Sequence, residues 1–64
     1  METEIRYFIC ERKGGCRLSD LHFDLIQSQK FERSIQIVEQ SKSISAALRI
    51  GWIREITEKE FLNS

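Results

Sequence analysis

The segment Ser41-Lys42-Ser43-Ile44-Ser45-Ala46-Ala47-Leu48-Arg49-Ile50-Gly51 constrains the fold more than any other part of the chain. A serine at 41 or 43 can supply a side-chain oxygen to the first free amides of a helix. Ile44, Ala47 and Leu48 then fall at i, i+3 and i+4, and Gly51 offers the left-handed backbone on which helices stop. The spacing predicts a helix of two to three turns, at about 42–50. A helix with a single apolar stripe has to lie on a surface that the other residues provide.

Those residues read as strands. Between Glu4 and Glu11 the run Ile-Arg-Tyr-Phe-Ile-Cys is rich in β-branched and aromatic residues and too short for a helix. Ile5, Tyr7 and Ile9 share one face, and Arg6, Phe8 and Cys10 the other, so both faces are expected to be partly covered. Arg12-Lys13-Gly14-Gly15 follows as a tight hairpin turn whose glycines tolerate positive φ. A second extended segment starts at Cys16. Cys16 and Leu18 share a face, but the apolar set Leu21, Phe23, Leu25 has the opposite parity. A bulge or short turn at Ser19-Asp20 accounts for the switch, because one extra residue moves every later side chain across the sheet. Asp20 is read as a turn former.

Gln27 to Arg33 is polar around Phe31 and reads as an exposed connection. Ser34 to Glu39 alternates Ile35 and Ile37 with polar neighbours and reads as a further strand. Trp52 to Ile56 is expected to be a closing strand. Thr57 and Glu60, three apart, have the spacing of a capping box and predict a last helical turn through Phe61 and Leu62. The expected fold is therefore α+β, a small antiparallel sheet or partly closed barrel of four to five short strands with one short α-helix. All 64 residues form one domain on this reading, with no apolar run of membrane length.

Size now limits the mechanism. A domain this short buries about 60% of its unfolded surface, and ordering entropy of about 1.5 kcal/mol per residue brings its net stability close to zero. Leu, Ile, Val and Phe make up 19 of the 64 residues, enough for an ordered core. Domains of this size commonly add a disulfide, a metal or a partner surface. Cys10 and Cys16 are the only cysteines, and Met1 leads into Glu-Thr-Glu without a secretory pattern, so the expected compartment is reducing and the thiols free. A bridge across the turn is the alternative. Cys10, Cys16 and His22 stand six positions apart in turn, wider than the paired cysteines of structural zinc sites, and a fourth nitrogen or sulfur ligand is missing. Neither a metal nor a cofactor is expected.

Catalysis is not expected either. The chain has one His and two Asp, and Gly14-Gly15 lacks the flanking residues of a phosphate loop or nucleophile elbow. Arg12, Lys13 and Arg17 cluster at the first turn, and Arg49 and Arg54 flank Trp52, an arrangement that can stack a base between cations. Ten basic residues are balanced by ten acidic ones, however, which leaves little long-range attraction to phosphate. Protein partners are the remaining staple. Trp52, directly after a helix stop, Arg49 and Arg54 beside it, and Phe61 and Leu62 in a polar tail are the candidate partner-binding residues.

Ser19-Asp20-Leu21 opening an apolar segment, Ile35-Gln36-Ile37 as an inner strand, and Ser41-Lys42-Ser43 leading through Ala47-Leu48 to Gly51-Trp52-Ile53 together resemble small structural proteins of tailed bacteriophages. The resemblance covers about residues 16–57. It departs from the pattern after the Asp-Leu pair, where such chains usually carry a small flexible residue and Gly and this one has His22 and Phe23. The resemblance implies a non-catalytic virion component present in many copies, held by neighbouring protein subunits, and located in the virion or host cytoplasm. The competing expectation is a regulatory module that binds nucleic acid or a host factor through Arg12, Lys13, Arg17, Arg49 and Arg54.

Overall fold

A computed structural model of the chain describes residues 4–63. Five strands and three short helices follow one another as β1 (Ile5–Cys10), β2 (Cys16–Leu18), β3 (Phe23–Leu25), β4 (Lys30–Ser34), α1 (Ile35–Gln40), α2 (Lys42–Ile50), β5 (Ile53–Ile56) and α3 (Glu58–Leu62). A 3-10 turn, Ser19–Leu21, separates β2 from β3. The strands make two antiparallel sheets, one in the order β4-β1-β5 and the other β2-β3. The architecture is a small α+β domain with open sheets, not a closed barrel.

The helix at α2 forms as its residues dictate. Ser41 accepts a hydrogen bond from the Ile44 amide at 3.1 Å, and Gly51, at φ 84°, closes the far end with its amide directed to the Leu48 carbonyl. Ile44 is fully buried and Ala47 nearly so, while Leu48 sits at the edge of the stripe, 36% exposed. At the C-terminus, Thr57 accepts from the Glu60 amide at 3.1 Å and starts α3. The parity switch is resolved by the 3-10 turn, which leaves Leu18 and Leu25 both in the core.

Three expectations are corrected. Residues 34–39 do not form a strand. Ile35 and Val38, three apart, are half-buried on one side of helix α1, whereas Ile37 is exposed. Local alternation therefore loses to the burial of an i, i+3 pair, with the Ile35 amide tied to the Glu4 carbonyl at 2.9 Å. The fold thus has three helices where one helix and a last helical turn were expected. Residues 27–33 are not a plain connection, since β4 pairs along β1 from Ile5↔Ser34 to Ile9↔Lys30. The strand looks polar because its Glu32 faces water, while Phe31 is 4% exposed and stacks on Phe8 at 5.2 Å between ring centres.

The third correction concerns the glycine turn. Gly14 and Gly15 both take positive φ, 90° and 83°, and the Gly15 amide bonds the Arg12 carbonyl at 3.0 Å. The turn does not join paired strands: β1 lies in one sheet and β2 in the other. β1 is consequently the central strand, with partners on both sides, and offers no free edge at 4–11. A Cβ on Gly15 would sit 2.1 Å from the Leu25 carbonyl oxygen, so this glycine also permits the close approach of the turn to β3. One core spans both sheets. Phe8 and Cys10 of β1, Leu18 and Leu25 of the small sheet, Ile44 of α2 and Ile53 of β5 belong to a single buried cluster.

Candidate partner-binding site

The end of α2, the start of β5 and the glycine turn converge at one end of the molecule. The Gly51 stop turns the chain so that the Trp52 amide reaches back to the Ala47 carbonyl at 2.9 Å, while the Trp52 carbonyl accepts from the Glu11 amide at 2.8 Å. Trp52 is held by its backbone at both groups and remains 36% exposed. Its ring carries the Arg12 guanidinium at 4.0 Å, a cation placed over an aromatic face. Arg12 is fixed in turn by donation to the Gly15 carbonyl at 3.2 Å. Beside it Arg54 donates to Glu11 at 2.8 Å, with Glu60 at 3.8 Å. The Glu11 hydrogen bond and charge hold the Arg54 guanidinium above its ordinary pKa.

The five candidate residues thus divide. Trp52 and Arg54 share this end, together with Arg12, which sequence reasoning had assigned to a separate basic cluster. Arg49 is exposed in the last turn of α2. Phe61 turns inward, its ring 4.9 Å from that of Tyr7, and Leu62 is 71% exposed. The tail is fastened further by the Tyr7 hydroxyl, which donates to Glu58 at 2.9 Å, and by Lys30, whose ammonium donates to the Glu60 carbonyl at 2.8 Å and to that of Asn63. The carboxylate bond to Glu58, with burial second, pushes the Tyr7 phenol above its usual pKa. Phe31 is a core residue.

The backbone of β5 adds a second element. β1 fills one side of it, with Tyr7↔Ile56, Ile9↔Arg54 and Cys10↔Ile53 in register, and among the described residues no strand pairs with the other side. The Trp52 carbonyl bonds towards β1, so the alternation of an antiparallel ladder turns the Glu55 amide and carbonyl outward. Exposed apolar side chains flank this edge in sequence, with Ile50 at 56% and Trp52 before it and Leu62 after it.

Three of the arginines, Arg6, Arg17 and Arg54, are paired with carboxylates. Arg17 lies 3.1 Å from Asp24 on the facing strand, and Arg6 donates to Glu55 at 2.9 Å. The charges around the turn are therefore interleaved with carboxylates, and no group of three or more His, Cys, Asp or Glu that could hold a metal is assembled among the described residues. No helix there is long and apolar enough to cross a membrane.

A shallow cavity of about 280 Å³ lies elsewhere, between the 3-10 turn and the junction of α1 and α2, lined by Asp20, Leu21, Ile37, Gln40 and Ser41. Its one acidic group is already engaged: Asp20 accepts from the Ser41 hydroxyl at 2.9 Å and from the Ser43 amide at 3.4 Å. Burial would raise the Asp20 pKa, but hydrogen bonds from Ser43, Ser41 and the neighbouring amides outweigh it and leave it lowered. Asp20 is a turn residue that also clamps the start of α2. Its distant serine partners had no signal in the local sequence.

Comparison with known proteins finds no matching family model, no matching curated protein and no matching solved structure.

Proposed function

We propose that the chain is a non-enzymatic protein–protein interaction module that serves as a minor structural, decoration or connector component of a tailed-phage particle. The observation that carries the interaction reading is the outer edge of β5, which no strand among the described residues pairs, led by the exposed Trp52. Such an edge can extend a neighbour's sheet through main-chain hydrogen bonds, with Trp52 and Leu62 filling apolar recesses beside it. The phage assignment rests on the resemblance of residues 16–57, which fold as β2, the Asp20 turn, β3, β4, α1, the serine-capped α2 and β5. Its Ser19-Asp20-Leu21 and Ser41-to-Ile53 segments support the reading, whereas Ile35-Gln36-Ile37, taken as an inner strand, lies in helix α1.

The test is co-sedimentation with tailed particles from infected cells, scored as copies of the chain per particle. A fixed ratio is expected for the unaltered protein. Glu55→Pro should lower it sharply while far-ultraviolet circular dichroism stays native, because proline is tolerated on an outward-facing edge and blocks the added strand. Chain that stays in the soluble fraction as a monomer, with no particle association, sinks the reading. Binding to DNA or RNA that weakens with salt and with Arg49 and Arg54 replacement would transfer the protein to the regulatory class.

A further inference from the structure

The glycine turn brings together two thiols that the assembly reading leaves unused. Cys10 Sγ and Cys16 Sγ lie 3.9 Å apart, one at the end of the central strand of the larger sheet and the other at the start of the smaller sheet. Cys10 is 1% exposed and its thiol also reaches the Arg12 carbonyl at 3.8 Å, whereas Cys16 is half-buried. The Arg12–Gly15 turn, with its two positive-φ glycines, fixes their approach. Bond formation requires the sulfurs to close to about 2.05 Å by small side-chain rotations.

We propose that Cys10 and Cys16 form a reversible disulfide site, a covalent tie between the two sheets that is set by the thiol–disulfide balance of the surroundings. The co-reactant is a small peptide disulfide of the glutathione type. The Cys16 thiolate attacks one of its sulfurs, forming a mixed disulfide and releasing one glutathione thiolate. Cys10 then loses its proton and displaces the second glutathione, so that two protein thiols are oxidised as one disulfide is reduced to two thiols. Arg12 and Lys13, both exposed in the turn, attract the anionic peptide to this spot. Burial, and then the hydrogen bond with Cys10, push the Cys16 thiol up to about 11, so the first step is slow at neutral pH and quickens as pH rises. The site is independent of phage membership.

The experiment equilibrates the folded protein in glutathione redox buffers, quenches with acid, and reads intact mass and alkylatable thiols. The expected product is a monomer lacking two hydrogens and both free thiols, with a melting temperature roughly 10 °C higher. For so short a loop, the bridging equilibrium constant should be roughly 50-fold greater in the native protein than in urea. Cys16→Ser should show neither the mass loss nor the melting shift. Should Cys16→Ser unfold, the native-to-urea ratio in the unaltered chain decides alone. Thiols that stay free at the highest disulfide concentration, or a native ratio no greater than that in urea, overturn the proposal.

Discussion

Two single residues hold backbone that most side chains avoid, and a third joins two parts of the chain. His22 ends the 3-10 turn at φ 51°, and Ser28 sits at φ 68°. The left-handed region costs a residue with a Cβ about 1 kcal/mol, so His22→Gly is expected to raise stability in urea titrations by up to that amount and His22→Val to lower it. Ser41 accepts from the Ile44 amide and donates to Asp20 while 5% exposed. Ser41→Ala should cost about 1–2 kcal/mol, measured by chemical denaturation. Asp20→Asn gives the matching pH signature. Because the folded carboxyl has the lower pKa, its contribution is present above the unfolded value near 3.9 and fades as pH falls through the folded one. The unaltered protein should therefore melt higher than Asp20→Asn at pH 7, and the gap should close below about pH 4.

At the scale of elements, α2 carries its own instructions and can be broken at either end. Gly51→Ala meets open space, so its cost of about 1 kcal/mol comes from the positive φ alone and should appear as faster hydrogen exchange in the last turn of α2. Ile44→Ala, in a fully buried position, should remove about 2–5 kcal/mol and leave a domain this small largely unfolded by circular dichroism. The legibility of the elements follows the same division. Where start, stripe and stop are local, as in α2 and α3, the residues were sufficient. The break at Ser19-Asp20 was legible because side-chain parity is a local quantity. Residues 30–40 were misread because their structure depends on distant partners: β4 exists by pairing with β1, and α1 by resting Ile35 and Val38 against the same unit. The glycine turn announced its own geometry but not the destination of its flanking strands. In the candidate site, Trp52 and Arg54 could be picked out as an aromatic and a cation near a helix stop. Arg12 could not be placed over Trp52, because that contact crosses forty positions of the chain and leaves no periodic trace.

For the whole molecule, the common core predicts one transition instead of two. Phe8 and Cys10 from the larger sheet share their burial with Leu18 and Leu25 from the smaller. Trp52 fluorescence and far-ultraviolet circular dichroism should therefore give coincident urea curves, and separated midpoints would show that the sheets unfold independently. The exposed ion pairs contribute little to this cooperativity. Replacing Asp24, whose pairing with Arg17 is open to water, should change stability by less than about 1 kcal/mol.

The central position of β1 also sets an order of events during synthesis. Among the described strands it is synthesised first, yet its two neighbours are β4 and β5, and the Tyr7↔Ile56 pairing waits until nearly all of the described residues have emerged. Phe8 has no sheet partner until Phe31 of β4 has emerged, and Cys10 has none on its other side until Ile53 of β5 has followed. Contacts that span so much sequence form slowly, so β1 can gain its first neighbour, β4, midway through the described residues and its second, β5, only near their end.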